Sequence, residues 1–437
     1  MHLLIRSVLP LQEDGITDCL KAEVTALEVI EKLSKRLGLD FEYFLKNSTY
    51  LVLSQILEAI ASFTLVLIMI NMVSKEFFGK FKFILSVIGL IGIFALPGMA
   101  SAIVIGVGKQ SEGIFRDAIL TSIKWSSLGS IALLGVALYF SLFETESLSM
   151  IFFFMAIIFP LYAPSVLYSA YLNGKKAFGK LGALQATIAI VKTIVTISVL
   201  ILSGDFNLVL SSYFLTDAIM RGAITFIFFG ETRKGPADNQ ALKFGKKMTI
   251  LELPSLIIFY IDHIIVTFWL GFEELAVYAI TIYIPELIKG FFKIIAPLTL
   301  PKFVTIENYR LKRIFWSKMA QLFLLTVVVS LLYVLVSPML FRILFSEYQK
   351  HVLLSQIFML SFLTFPVILI TTLFQSRALT KELYRFRAIN FVVQLSLLIV
   401  LIPALGLFGA ILARFLTRFI LAIILCFRAR LVLANLE

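Results

Sequence analysis

The sequence predicts an all-α, polytopic membrane protein, and three observations lead to that fold class. Hydrophobic residues make up 60% of the 437 residues and charged residues only 15%, whereas a soluble chain carries about 25% charged residues. The mean hydropathy of +0.97 is too high for a soluble core. Twelve apolar runs are long enough to span a bilayer, which takes about 20 residues. Because hydrocarbon leaves no partner for free backbone polar groups, these runs must be helices.

The predicted spans follow one another with mostly short connections. They cover residues 50–73, 83–106, 119–141, 149–171, 181–203, 207–229, 248–270, 275–300, 318–341, 353–375, 387–404 and 407–427. Several contain proline, which frees a backbone carbonyl and can bend a helix. We therefore expect bent helices in this bundle.

Lysine and arginine in the connections set the predicted orientation. If both termini are cytoplasmic, the inner segments and one helix mouth hold 26 of these residues, and the outer loops hold five. Positive charge collects on the cytoplasmic side of short loops. We therefore predict a multi-pass protein of the cell (cytoplasmic) membrane with both termini inside. This topology accounts for the net charge of +12, so no nucleic-acid partner is expected.

A weak internal repeat predicts two halves of similar structure. An acid, a small residue three positions later and an aromatic residue five positions later occur at Glu76–Phe81 and again, 197 residues on, at Glu273–Tyr278. Parallel repeats of this kind are related by an axis along the membrane normal. The predicted domains are a cytoplasmic N-terminal extension (1–49), an N-lobe of six helices (50–229), a cytoplasmic linker (230–247), a C-lobe of six helices (248–427) and a short cytoplasmic tail (428–437).

Charged side chains inside the apolar runs are the candidate functional residues. A Lys or Arg at the bilayer centre costs about 2.5–3.5 kcal/mol on insertion scales, so such groups line a wet cavity or form pairs. The cations are Lys124, Lys192, Arg221, Lys289, Lys293, Arg414 and Arg418. The acids are Glu58, Asp217, Glu252, Asp262 and Glu286. The excess of cations predicts a negatively charged cargo, and the seven cations are the predicted substrate-binding set.

Helical spacing places several of these charges on common faces. Glu286, Lys289 and Lys293 are spaced i, i+3 and i+7, and Arg414 and Arg418 are spaced i and i+4. We expect such stripes to line one central cavity. The alternative is a set of ion pairs between helices without a ligand.

For three of the other charged residues, an ion pair within the protein or a position at the membrane interface is as open as a place in the cavity lining. Asp217 is four residues before Arg221 and can pair with it along one helix. Lys124 and Glu58 lie in the inner thirds of their spans, where a side chain can extend to the interface. No single assignment follows from sequence for these residues.

The motifs of catalysis and metal binding are missing from the sequence. No P-loop, HExxH motif or Ser/His/Asp set is present, and the two cysteines, Cys19 and Cys426, lie at opposite ends of the chain. We therefore expect no catalytic residue, no metal site and no cofactor. Coupling to H⁺ or Na⁺ is left open, with Glu58, Asp217, Asp262 and Glu286 as its candidate sites.

Short motifs also follow one another in a characteristic order along residues 47–427. They are Lys75–Phe81 (KEFFGKF), Leu96–Ile103 (LPGMASAI), Leu172-Asn173-Gly174, Asp262 followed by Trp269-Leu270-Gly271, and Gly406 to Ala410 (GLFGA). In this order they resemble the polysaccharide flippases, the O-antigen and teichoic-acid exporter branch of the multidrug/oligosaccharidyl-lipid/polysaccharide exporter superfamily. Lys75 stands where that family usually has proline.

The resemblance implies a flippase for cell-surface polysaccharide biosynthesis. Its cargo would be a polyprenyl-diphosphate-linked oligosaccharide, moved by alternating access, with membrane lipids as further partners and polymerase or ligase components of glycan assembly left open. Two alternatives remain. A multidrug extruder of the same fold expels cations and should have an acidic cavity. A membrane enzyme of glycan assembly should have a large external loop, which this sequence lacks.

Overall fold

The computed structural model describes residues 41–143, 146–232, 239–293 and 295–434, and these residues are almost entirely helical. No strand occurs within those ranges. Of the unit Met1–Tyr50, residues 41–50 are described, as helix, and the rest of the predicted N-terminal extension lies outside the described residues. Leu51–Glu437 form one compact unit, which contains all the contacts discussed below.

The described part of the first half of the chain forms eight helices. They are α1 (Phe41–Met72), α2 (Lys75–Ile91), α3 (Met99–Gly108), α4 (Gly113–Phe143), α5 (Glu146–Ser165), α6 (Tyr168–Gly174), α7 (Phe178–Ser203) and α8 (Phe206–Glu231).

The described part of the second half forms seven more helices. They are α9 (Asn239–Leu270), α10 (Phe272–Phe292), α11 (Ile295–Thr305), α12 (Asn308–Leu344), α13 (Val352–Leu360), α14 (Ile368–Ser376) and α15 (Thr380–Ala434). Two 3₁₀ segments, Ser346–His351 and Ser361–Val367, flank α13.

Eleven helical stretches of the described chain are long and apolar enough to cross a membrane, and the last of them contains two predicted spans. Gly406 interrupts the 55-residue α15 with non-helical angles, φ 60° and ψ −136°. A Cβ at Gly409 would collide with the Leu401 carbonyl oxygen, although eight residues of straight helix would separate the two by about 12 Å. The chain therefore reverses at Gly406, and the prediction of about twelve spans is confirmed.

Several predicted boundaries were wrong because helices extend or break where hydropathy is continuous. The outer loop between the first two spans, predicted for residues 74–82, consists of only Val73 and Ser74. The Ser74 hydroxyl accepts a hydrogen bond from the Phe77 amide at 3.2 Å and caps α2. Lys75, Lys80 and Lys82, which the predicted topology places in this outer loop, therefore belong to α2. The second span also breaks, at Leu96, whose φ of 55° is left-handed.

Three hydrophobic clusters show how the two halves of the described chain meet. One cluster contains residues of both halves, among them Phe78 and Tyr278, and lies at the end of the bundle with the turns at Ser74, Gly271 and Gly406, here called the hairpin end. The other two lie at the opposite end, here called the linker end. One consists of residues of the first half together with Ala241 of α9. The other consists of residues of the second half alone. The halves thus share a large core at the hairpin end, and at the linker end α9 of the second half packs against the core of the first half.

Glycines of the second transmembrane segment allow close contact between the halves. A Cβ at Gly79 would collide with the backbone of Phe272, and one at Gly98 would collide with the backbone of Thr249. The Gly98 amide also donates to the Thr249 hydroxyl at 3.1 Å. Small residues allow this backbone approach in membrane bundles. The division into two six-helix lobes at residues 229 and 248 stays a prediction.

Candidate functional site

Most of the charged residues predicted for one central cavity line two pockets, one in each half of the chain. The first pocket encloses about 200 Å³ and is lined by Glu58, Lys192 and Arg221. The second pocket encloses about 470 Å³, and no residue lines both. Its charged lining residues are Glu286, Lys289, Lys293, Arg414 and Arg418. Lys124 lines neither pocket and is exposed on α4.

A buried carboxylate behind the wall of the first pocket holds two of the cations that line it. Asp217 on α8 is 1% exposed. Lys192 on α7 donates to its Oδ1 at 3.2 Å, and Nε of Arg221 lies 3.1 Å from its Oδ2. The Lys192 ammonium also lies 4.4 Å from the centre of the Tyr213 ring. With Glu58, the two cations face two acids, so the charges of this pocket balance.

Behind the second pocket, the carboxylate of Asp262 is fully engaged by protein donors. The side chain is completely buried in α9. Its Oδ2 accepts from the Tyr278 hydroxyl at 2.7 Å and lies 3.1 Å from Nε of Arg414. Its Oδ1 accepts from the His263 amide at 2.9 Å. The ion pair joins α9 to α15, the Tyr278 hydrogen bond adds α10, and together they hold Arg414 at the pocket wall.

Arg418 makes the second ion pair of this pocket. It pairs with Glu286 on α10, and its Nη1 donates to the Ser361 hydroxyl at 2.6 Å. Its guanidinium also lies 4.7 Å from the centre of the Phe358 ring, within range of a cation–π interaction. These contacts fix the guanidinium between α10, the Ser361–Val367 segment and α15.

Two cations of the second pocket have no carboxylate partner among the described residues. Lys289 lies three residues after Glu286 on α10, and Lys293 caps the end of that helix. The helix dipole favours a cation at Lys293. Because Arg414 and Arg418 each pair with one acid, the second pocket and its walls carry two positive charges in excess. This is the electrostatic difference between the two pockets.

Sequence reasoning missed the uncharged polar residues of the second pocket. Asn390 and Gln394 on α15 line it, with Ser255 on α9 and Thr371 on α14. The i, i+4 spacing of Asn390 and Gln394 inside an apolar run was a usable signal, although uncharged polar residues stand out less in such a run than charged ones. Among the described residues, no group of three or more His, Cys, Asp or Glu side chains is placed to hold a metal ion.

Comparison with known proteins places the chain in a family. The family model described as "Polysaccharide biosynthesis protein" matches residues 44–307, more than half of the chain. The chain belongs to the polysaccharide biosynthesis protein family. A search of the curated proteins by sequence gave no match.

Solved structures with a similar fold are membrane transporters. One is the inward-facing conformation of a multidrug resistance MATE family transporter of the MOP superfamily, with a TM-score of 0.65 and 13% identity over 87% of this chain and 95% of that one. Another is the lipid II flippase MurJ in an inward closed conformation, with a TM-score of 0.65 and 16% identity over 88% of this chain and 87% of that one. A third is a MOP superfamily transporter from Pyrococcus furiosus, with a TM-score of 0.63 and 12% identity over 90% of this chain and 96% of that one.

These matches confirm the resemblance to the exporter superfamily stated from the motifs. The protein is a multi-pass membrane protein of the polysaccharide biosynthesis family with a MATE/MurJ-like transporter fold. At such identities the solved structures show the fold alone. The substrate must therefore be argued from the pockets of this chain.

Proposed function

We propose that the protein is a flippase that moves a polyprenyl-diphosphate-linked oligosaccharide across the cytoplasmic membrane. The observation that carries this proposal is the excess of two positive charges in the second pocket, from Lys289 and Lys293. Family membership supports the saccharide part of the substrate. The diphosphate is the anionic part that a cationic pocket recognises.

The electrostatics of the second pocket suit a diphosphate better than a neutral headgroup. Removing an anion from water costs several kcal/mol, which nearby cations with good hydrogen-bonding geometry offset. Arg418 is held in place by Glu286 and Ser361, whereas the two lysines have free donors. We propose that Lys289 and Lys293 contact the diphosphate directly and that Arg418 and Arg414 add to the positive field. The balanced first pocket would then accept uncharged parts of the saccharide.

The arrangement of the two halves supports alternating access. The halves share a large core at the hairpin end, whereas at the linker end α9 packs against the core of the first half and residues 303–433 of the second half contain a core of their own. In the orientation favoured by the distribution of lysine and arginine, the linker end is cytoplasmic. The structure would then represent the state that receives substrate from the inner leaflet. Movement about the shared core would expose the pockets on the other side.

Among the four predicted coupling acids, Glu58 suits ion coupling best. Asp217, Asp262 and Glu286 each pair with a cation. The Glu58 Oε1 atom is buried and has no hydrogen-bond partner among the described residues. A carboxylate with one oxygen free of hydrogen bonds can bind a proton or Na⁺ at a lower cost than one held in a close ion pair. We therefore propose Glu58 as the coupling site.

The charge of the second pocket also separates this proposal from the alternatives. A drug extruder would bring a cation against two excess positive charges, which opposes binding. The similar solved structures are two transporters and a flippase rather than enzymes of glycan assembly. The proposed partners are therefore the lipid-linked oligosaccharide and the surrounding lipids.

Reconstitution into liposomes tests the proposed function. We expect the purified protein to move a fluorescent polyprenyl-diphosphate oligosaccharide between leaflets faster than protein-free liposomes do, as measured by chemical quenching of the outer leaflet. Liposomes with a cationic dye and an imposed proton or Na⁺ gradient serve as the comparison. Transport of the cationic dye without movement of the lipid-linked saccharide would refute the proposal and favour the extruder.

A further inference from the structure

An apolar groove of about 680 Å³ lies beside the second pocket. Its walls are the first part of α12, the Ser361–Val367 segment and the last part of α15. Aromatic and aliphatic side chains dominate its lining, among them Met319, Phe323, Phe419 and Ile423. Arg430 is the charged residue among those that line the groove. It lies at the linker end, with its guanidinium 5.6 Å from the centre of the Trp316 ring.

The groove and the second pocket are continuous. Thr364, Val367 and Ala422 line both. Ala422 is one helical turn after Arg418. Measured along α15, Arg418 therefore lies about 6 Å from the end of the groove that meets the second pocket. An occupant with an anionic head in the pocket can therefore extend an apolar chain into the groove without crossing a polar surface.

The opposite side of the groove is open toward the bilayer. Phe323 is 47% exposed and Ile423 is 69% exposed, and both belong to apolar stretches long enough to span a membrane. From Phe419 to Arg430 the groove follows α15 for about 16 Å, about half the thickness of the hydrocarbon core. One end of a long chain fits inside, while the rest remains in the lipid.

We propose that this groove binds the first isoprene units of the substrate's polyprenyl chain while the diphosphate occupies the second pocket. The inference rests on the proposed function and adds a second recognition element to it. The groove selects a single anchor chain leading from a diphosphate. A two-chain phospholipid would place its second chain against the polar lining of the pocket.

Two soluble probes distinguish the contribution of the groove to binding from that of the anion pocket. Farnesyl diphosphate carries the headgroup and a short prenyl chain, and inorganic pyrophosphate carries the headgroup alone. We expect the wild-type protein in detergent to bind farnesyl diphosphate at least about tenfold more tightly, because the chain buries apolar surface. Ala320→Trp fills the groove away from the second pocket and should bring the two affinities together, with pyrophosphate binding unchanged.

A matched control and a chemical reporter make this result specific. Ala183→Trp adds the same side chain at an exposed position of α7 that lines neither pocket nor the groove, and it should keep the wild-type preference. Cys426 lines the groove, so in a Cys19→Ser background farnesyl diphosphate should slow its alkylation and pyrophosphate should not. This measurement holds even if Ala320→Trp does not fold.

Each other outcome identifies which idea fails. If pyrophosphate binds but the prenyl chain adds no affinity and does not protect Cys426, the groove proposal is overturned and the proposed function stands. If phosphatidylglycerol protects Cys426 and farnesyl diphosphate does not, the groove holds ordinary lipid and the proposal is again overturned. If neither probe binds, the anion pocket and the proposed function fail together.

Discussion

Changing Lys289 and Lys293 together to glutamine is expected to abolish translocation of the lipid-linked saccharide while leaving protein stability unchanged. Neither lysine has a carboxylate partner among the described residues. Replacing them therefore leaves no buried carboxylate without its cation. Each hydrogen bond to a charged group contributes about 1.5–3 kcal/mol. Losing both should lower the rate or the affinity by more than about 100-fold in the liposome assay.

Lys124→Gln is the matched control for this double variant. Lys124 is also a cation of a transmembrane helix, but it is exposed on α4 and lines neither pocket. Its neutralisation should leave translocation near the wild-type rate. If the Lys289/Lys293 double variant transports normally, the two lysines do not bind the diphosphate, and the charge argument fails.

Arg414→Gln is expected to destabilise the protein rather than to affect transport alone. The variant leaves the fully buried Asp262 without its cation, and breaking a buried pair on one side costs about 3–5 kcal/mol. The unfolding temperature in detergent should fall clearly, and a second change, Asp262→Asn, should recover part of the loss by removing the stranded charge.

Arg418→Gln provides the comparison, since its partner has more access to water. The Glu286 side chain is 31% exposed, whereas that of Asp262 is 0% exposed. The loss of stability should therefore be smaller in Arg418→Gln than in Arg414→Gln. Equal unfolding temperatures for wild type and Arg414→Gln would contradict the structural role assigned to the Asp262–Arg414 pair.

The charged residues of both pockets could be found from sequence because charge inside an apolar run is costly and therefore rarely accidental. Their partners could not. Helical spacing showed that Asp217 can pair with Arg221, but it could not bring Lys192 of the neighbouring helix to the same carboxylate. The pairing of Asp262 with Arg414 depends on how distant helices pack, which no local pattern records.

The same limit explains the errors in helix boundaries and the distribution of the charges over two pockets. Hydropathy is continuous through the Ser361–Val367 segment, yet the chain there turns into 3₁₀ helix around Pro366 and forms a wall shared by the pocket and the groove. The number of spans followed from composition. The separation of the charges into two pockets followed from bends and close helix contacts, such as the one at Gly98, that only the folded chain shows.

A structure of the protein bound to a polyprenyl diphosphate tests the central claim most directly, namely that the second pocket binds the anionic headgroup. We predict density for the diphosphate between Lys289, Lys293 and Arg418. Density for the diphosphate in the first pocket, against Lys192 and Arg221, would contradict this account and assign headgroup recognition to the first half of the chain.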